Sequence, residues 1–200
     1  MEQLIVASSN LHKIEEYRTI LGDRYNILSL KDLNCDYDIP ENGDTFEENA
    51  LIKARWVACH YGCDCIADDS GLEVDALGGA PGVRTARYAG EHHDNVANRA
   101  KLLRELGDTP NRRARFRTAI ALVRKGKPDI TFDGTVEGTI THEERGGGGF
   151  GYDCLFIPDG WSETFAEASP QAKNAVSHRS RAAAALLSFL DNEKSPKSHS

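Results

Sequence analysis

The chain has 200 residues, 40% hydrophobic and 28% charged, the balance of a globular protein with one large domain or two closely joined lobes. Its formal net charge of −7 argues against wrapping a nucleic-acid backbone, where a basic face is expected, but allows a small polyanion met by a few converging cations. No apolar run approaches the ~20 residues needed to span a bilayer, and no signal-peptide pattern opens the chain. No membrane is therefore expected as a partner. Five cysteines, an odd number, suit reduced thiols in the cytoplasm, and the cluster Cys59, Cys63, Cys65 lacks the second pair of a zinc site.

In chain order, Leu4–Ala7 reads as a buried strand and Ser8-Ser9-Asn10 as a polar turn. Leu11, Ile14, Tyr17, Ile20 and Leu21 then recur at helical spacing. A second strand is expected over Tyr25–Leu30. Thr45-Phe46-Glu47-Glu48 is a capping box that opens a helix to about His60. Cys65-Ile66-Ala67 predicts a short strand ending on Asp68-Asp69-Ser70-Gly71, and Gly78–Gly82 a loop. Asn95–Leu106 is helical, with Ala100, Leu103 and Leu106 on one side. Arg115–Arg124 and Ile130–Thr141 form a long hairpin, a strand lies around Leu155–Ile157, and Ser177 caps a last helix over Ala182–Leu190. Strands both alternate with helices and pair with each other, which predicts an α/β fold with a mixed sheet. Residues 1–191 form one unit and 192–200 a polar, disordered tail.

Five constellations carry chemistry. Ser8 to Lys13 makes a strand–turn–helix corner whose unpaired helix amides suit a phosphate, although an ordinary N-cap with a solvated lysine has the same residues. Asp68 and Asp69 at a strand end suit a hard cation and a proton acceptor. Both reach one site only if the chain turns at Asp69, since side chains alternate along a strand. Phe46, Ala50, Lys53, Ala54 and Val57 share a helix face with Asn49 at its edge, so Lys53 either snorkels or reaches a buried anion. Gly146-x-Gly148-x-x-Gly151 matches a dinucleotide fingerprint literally, but a strand follows it, which excludes that reading. It leads instead to Phe150-Gly151-Tyr152-Asp153, whose aromatic faces suit a base or the core. Lys173, His178 and Arg179 read as cations in a first helical turn, opposed to the helix dipole unless an anion is near.

Taken in order and spacing, Ser8-x-Asn10-x-x-Lys13, Thr45-Phe46-x-Glu48-Asn49-Ala50, Ala67–Leu72, Leu77–Gly82, Ala86-Arg87-Tyr88-x-Gly90, Gly149–Asp153 and Ser177-His178-Arg179 resemble the inosine triphosphate pyrophosphatase family, also called dITP/XTP diphosphatases. That resemblance implies hydrolysis of dITP, ITP and XTP to monophosphate and pyrophosphate, by a homodimer with an elongated mixed sheet and a substrate cleft between two lobes. It implies that Ser8, Ser9, Asn10, Leu11, His12, Lys13 and Lys53 hold the triphosphate and that Glu41 and Asp69 bind Mg2+. It further implies that Asp69, supported by Asp68, activates water and that Ser70 contacts the nucleotide. Phe150, Gly151, Tyr152, Asp153, Lys173, His178 and Arg179 would form the base and phosphate pocket. Arg179 and Lys173 carry only donors, which favours a 6-keto purine over a 6-amino one. Ser9 departs from the family's usual glycine. Two alternatives stay open on the residues alone: a nucleotide-binding regulator without turnover, and a phosphatase releasing orthophosphate. Three carboxylates stacked without a metal cost several kcal/mol, which favours catalysis.

Overall fold

The computed structural model describes residues 2–90 and 93–194. Its centre is a six-stranded sheet in the order β2-β1-β3-β4-β5-β6. The strands are β1 Glu2–Val6, β2 Tyr25–Ser29, β3 Cys65–Val74, β4 Arg113–Val123, β5 Ile130–Ile140 and β6 Phe156–Pro158. β1 runs parallel to both neighbours, with α1 (Leu11–Leu21) leading to β2 and α2 (Phe46–Tyr61) leading to β3. From β3 onward the pairing is antiparallel. This is the mixed sheet that the alternation of elements predicts.

The core divides as two lobes require. Ile14, Tyr17 and Leu21 of α1 pack with Ala182, Ala183 and Leu186 of α5 (His178–Lys194) on one face of the sheet. Ala50, Ala54 and Val57 of α2 pack with Ala67 and Ala121 in a separate cluster. Farther along the long strands, Leu72, Phe116 and Val136 join Phe156, Phe165 and the α3 (Asn95–Leu106) residues Leu102 and Leu106 in a third cluster, the second lobe.

Four expectations change. β3 does not end before the aspartates: it runs on through Asp68, Asp69, Ser70 and Gly71 to Val74, paired with β4 throughout. Polar residues are tolerated there because β1 pairs with β3 only at Cys65 and Ile66, so the remainder of that edge faces a cleft. The buried face of α3 is Asn98, Leu102 and Leu106, with Ala100 exposed, since Asn98 bonds the backbone of Ala86 and Ala89. Lys173 does not lie in a first turn but in the last turn of α4 (Pro170–Val176), where its charge agrees with the helix dipole. Finally, α5 extends to Lys194, where Lys194 pairs with Glu2 and Glu193 with Arg124. The helix thus takes the first three residues of the expected tail, and 195–200 lie outside the described residues. Among the described residues no helix is long and apolar enough to cross a membrane.

Gly134 of β5 sets how close α5 comes to the sheet. A Cβ there would stand 2.0 Å from the His178 carbonyl oxygen and 2.5 Å from the Ala182 nitrogen. Gly134→Ala is expected to destabilise the protein by about 1–3 kcal/mol through overpacking. It should also lower turnover, because His178 and Arg179 ride on that helix turn. Urea unfolding checks the first effect, and wild-type stability in the variant would contradict the close contact.

Candidate active site

A cleft of about 460 Å³ opens where β1 ends and β3 continues. Ligand sites in α/β sheets gather at the carboxyl ends of such strands. Of the residues singled out from sequence, all line this cleft except Leu11 and Asp68. Leu11 is turned away and 56% exposed, an ordinary outer position of α1.

The phosphate corner is built differently from the expectation. Asn10 is itself the N-cap: its Oδ1 accepts from the amides of His12 and Lys13 at 3.0 and 3.3 Å. Those two amides are therefore already satisfied. Lys13 is not solvated, because its Nζ lies 3.1 Å from Asp68. Among the described residues only Asn34 and His93 combine a side chain with positive φ, so the turn at Ser9 does not require the family's glycine.

Alternation along β3 sends its two aspartates to different partners. Asp68 points to α1 and α5, where Oδ2 receives Lys13 at 3.1 Å and Arg179 Nη2 at 3.2 Å. Burial alone would raise the Asp68 pKa; the charges of Lys13, Arg179 and Lys53 prevail and hold it far below the usual carboxylate range. Asp69 points to α2, where Asn49 Nδ2 donates to Oδ2 at 2.9 Å, and the Ser70 amide donates to Oδ1 at 2.9 Å. Burial raises the Asp69 pKa, Lys53 and Lys13 oppose this, and the Glu41 charge adds to it. The chain need not turn at Asp69: the cleft reaches Asp69 directly, while Asp68 acts from behind the cations.

Lys53 reaches inward rather than snorkelling. Its Nζ pairs with Glu41 and donates to the Asp68 carbonyl at 2.7 Å. Opposition from Glu41, Asp69 and Asp68 outweighs its burial, so its pKa is raised and it stays charged.

On the second-lobe side, Phe150 stacks on His12 with centroids 5.1 Å apart and planes 11° from parallel. Asp153 Oδ2 accepts from the Phe150 amide and from Lys173, both at 2.8 Å. Gly149, at φ +67°, is required here, because a Cβ would stand 2.2 Å from that carboxylate. Tyr152 donates to the Thr85 carbonyl at 2.9 Å. Burial and the charges of Arg179 and Lys173 push the His178 pKa well down, so its imidazole is neutral.

Arg179 departs most from the expectation. It is 1% exposed, and its guanidinium bonds Asp68, Glu16 and, at 3.0 Å, Ser70 Oγ. Its donors are taken by two carboxylates and by the Ser70 hydroxyl, at the wall of the cleft.

The Ham1 family model matches residues 4–189. The chain belongs to the Ham1 family. A "dITP/XTP pyrophosphatase" of Porphyromonas gingivalis is 50% identical over 191 residues, covering 95% of this chain and 98% of the relative. One from Bacillus licheniformis is 46% identical, covering 96% and 99%. The solved Ham1 protein of Staphylococcus aureus superposes with a TM-score of 0.87 at 41% identity, covering 96% of this chain and all of the other.

Two residues of this Ham1 site escaped sequence reasoning. Glu16 pairs with both Lys173 and Arg179 and joins the two lobes. Its only signal is its place one helical turn after Lys13. Asn49, placed only at the edge of the apolar face, holds Asp69 and also accepts from the Gly43 amide at 2.8 Å.

Among the described residues no three His, Cys, Asp or Glu side chains form a metal cage. Glu41 and Asp69 face the same cleft, and the Glu41 charge is felt at Asp69. Two carboxylate ligands completed by substrate phosphates are the donor set that Mg2+ takes, so the residues fit that ion.

Proposed function

We propose that this Ham1 chain hydrolyses the triphosphates of non-standard purine nucleosides, dITP, ITP and XTP, to the monophosphate and pyrophosphate. One observation carries the reading: a buried carboxylate, Asp69, faces the same cleft as Lys13 and Lys53. The names borne by close relatives support the substrate class.

Lys13 and Lys53 hold the phosphates, and Asn49 fixes the direction of the Asp69 carboxylate. Asp69 accepts the proton of a water that attacks the α-phosphorus, and pyrophosphate leaves as one unit. Mg2+ held by Glu41 and Asp69 would supply positive charge against the phosphates and make water more acidic. Asp68 keeps Lys13 and Arg179 in place. The same reading extends to a homodimer working in the cytoplasm.

The test is a panel of nucleoside triphosphates with Mg2+, scored for both anions. ITP, dITP and XTP should yield pyrophosphate, ATP and dATP little of either, and excess chelator should stop the reaction. Orthophosphate as first product, or full activity in chelator, would overturn the proposal.

Without Mg2+, burial raises the Asp69 pKa and Lys53 opposes this, so in excess chelator the Asp69 carboxyl should titrate above the usual ~3.9 of aspartate, and higher still in Lys53→Met. An NMR titration of the carboxyl checks this, and a midpoint unmoved in Lys53→Met would contradict the pairing of the two groups.

A further inference from the structure

Helix α2 grips the β2–α2 connection at three successive points, in antiparallel order. Asn49 holds the Gly43 amide, Lys53 holds the Glu41 carboxylate, and Trp56 stacks on Tyr37 with centroids 4.8 Å apart and planes 11° from parallel. His60, one turn on, stacks on Trp56 at 4.7 Å and 8°. Asn49 and Lys53 also touch β3, through Asp69 and the Asp68 carbonyl. Trp56 touches neither and does not line the cleft.

The segment between needs such support. Among the described residues no backbone–backbone hydrogen bond involves residues 36–42. Cys35 and Ile39 are buried against Ala50, Ala54 and Val57. They anchor the segment to α2, while from outside α2 the Arg87 guanidinium donates to the Glu41 carbonyl at 3.4 Å.

We propose that Trp56 is a positioning residue for Glu41: its stack with Tyr37 holds the connection down on α2, so that Glu41 meets the cleft ready for a divalent cation. The inference rests on the reading of Glu41 as a Mg2+ ligand. A partner whose competent arrangement is less populated binds its ligand more weakly by that fraction. Stacked aromatic pairs contribute enough that their loss corresponds to about threefold to tenfold in such a population.

The experiment measures half-saturating Mg2+ and kcat with ITP. Titration calorimetry of Mg2+ into the protein bound to α,β-imido-ITP reports binding without turnover. Trp56→Ala should raise the Mg2+ requirement about threefold to tenfold in both assays, while kcat at saturating Mg2+ stays within about twofold. Trp56→Phe should restore the wild-type value. An unchanged Mg2+ requirement in Trp56→Ala overturns the proposal, as does a loss confined to kcat that Trp56→Phe does not rescue. Glu41→Gln separates the two failures. If it raises the Mg2+ requirement while Trp56→Ala does not, only the clamp falls; if neither does, the reading of Glu41 falls as well.

Discussion

Asp69→Asn is expected to remove turnover by about 10³-fold or more while the protein stays folded. The substitution conserves volume but takes away a proton acceptor and a carboxylate ligand, and general-base catalysis alone contributes about 10²–10⁴-fold. Linkage gives the stability side of the prediction. A carboxylate whose folded pKa is raised lowers stability at pH values above that pKa, where it is ionised in the unfolded chain at less cost. A neutral asparagine removes that term. It keeps only one of the two acceptors now used by the Asn49 and Ser70 donors, which offsets part of the gain. The melting temperature at pH 7 should therefore lie close to wild type, and binding of α,β-imido-ITP should persist. Near-normal activity in a folded Asp69→Asn protein would contradict the role assigned to this residue.

Arg179→Ala is expected to be the most destabilising of the site substitutions. The side chain is fully buried, with Asp68 and Glu16 as its counter-ions. Removing it leaves both carboxylates with one cation fewer. Breaking a buried pair typically costs about 3–5 kcal/mol, which at about 2–4 °C per kcal/mol for a chain of this size lowers Tm by roughly 10 °C. The pH dependence has a definite sign. In the wild type the Asp68 and Glu16 pKa values are lowered, so their contribution is present above the unfolded carboxylate pKa and lost as pH falls through the folded values. The stability gap between wild type and variant should therefore narrow as pH drops below about 4. Thermal melts at pH 7 and pH 3.5 check this, and a gap that widens in acid would contradict the pairing. The geometry also bears on base choice. Because the guanidinium faces Asp68, Glu16 and Ser70, its removal should cost turnover of ITP and of ATP alike rather than narrow their ratio. A ratio that collapses in Arg179→Ala would return base reading to this residue.

The fold was legible where periodicity and caps act locally. The α2 face came out of helical spacing residue for residue: Phe46, Asn49, Ala50, Lys53, Ala54 and Val57 are its buried positions. Its Thr45 cap accepts the Glu48 amide at 3.1 Å, while Glu48 reaches the amide of Asp44, one residue before the cap. Where local propensity competed with tertiary context, context won. Asp68-Asp69-Ser70-Gly71 looks like a strand ending, yet β4 supplies ten paired positions and carries the strand through. Lys173 looked unfavourable only because it was read with the first turn of the last helix, whereas a separate short helix, α4, ends at Ser177 just before α5 begins. Pairings between distant segments were not legible at all. Glu16 meets Lys173 and Arg179 across more than 150 residues of chain, and no spacing in the sequence announces such a contact.

The most direct test of the central claim is hydrolysis of ITP with Mg2+ in ¹⁸O-labelled water, with both products analysed by mass. Attack at the α-phosphorus, with Asp69 taking the proton, predicts IMP carrying one labelled oxygen and pyrophosphate carrying none. Label in pyrophosphate, or IDP and orthophosphate as the products, would contradict it.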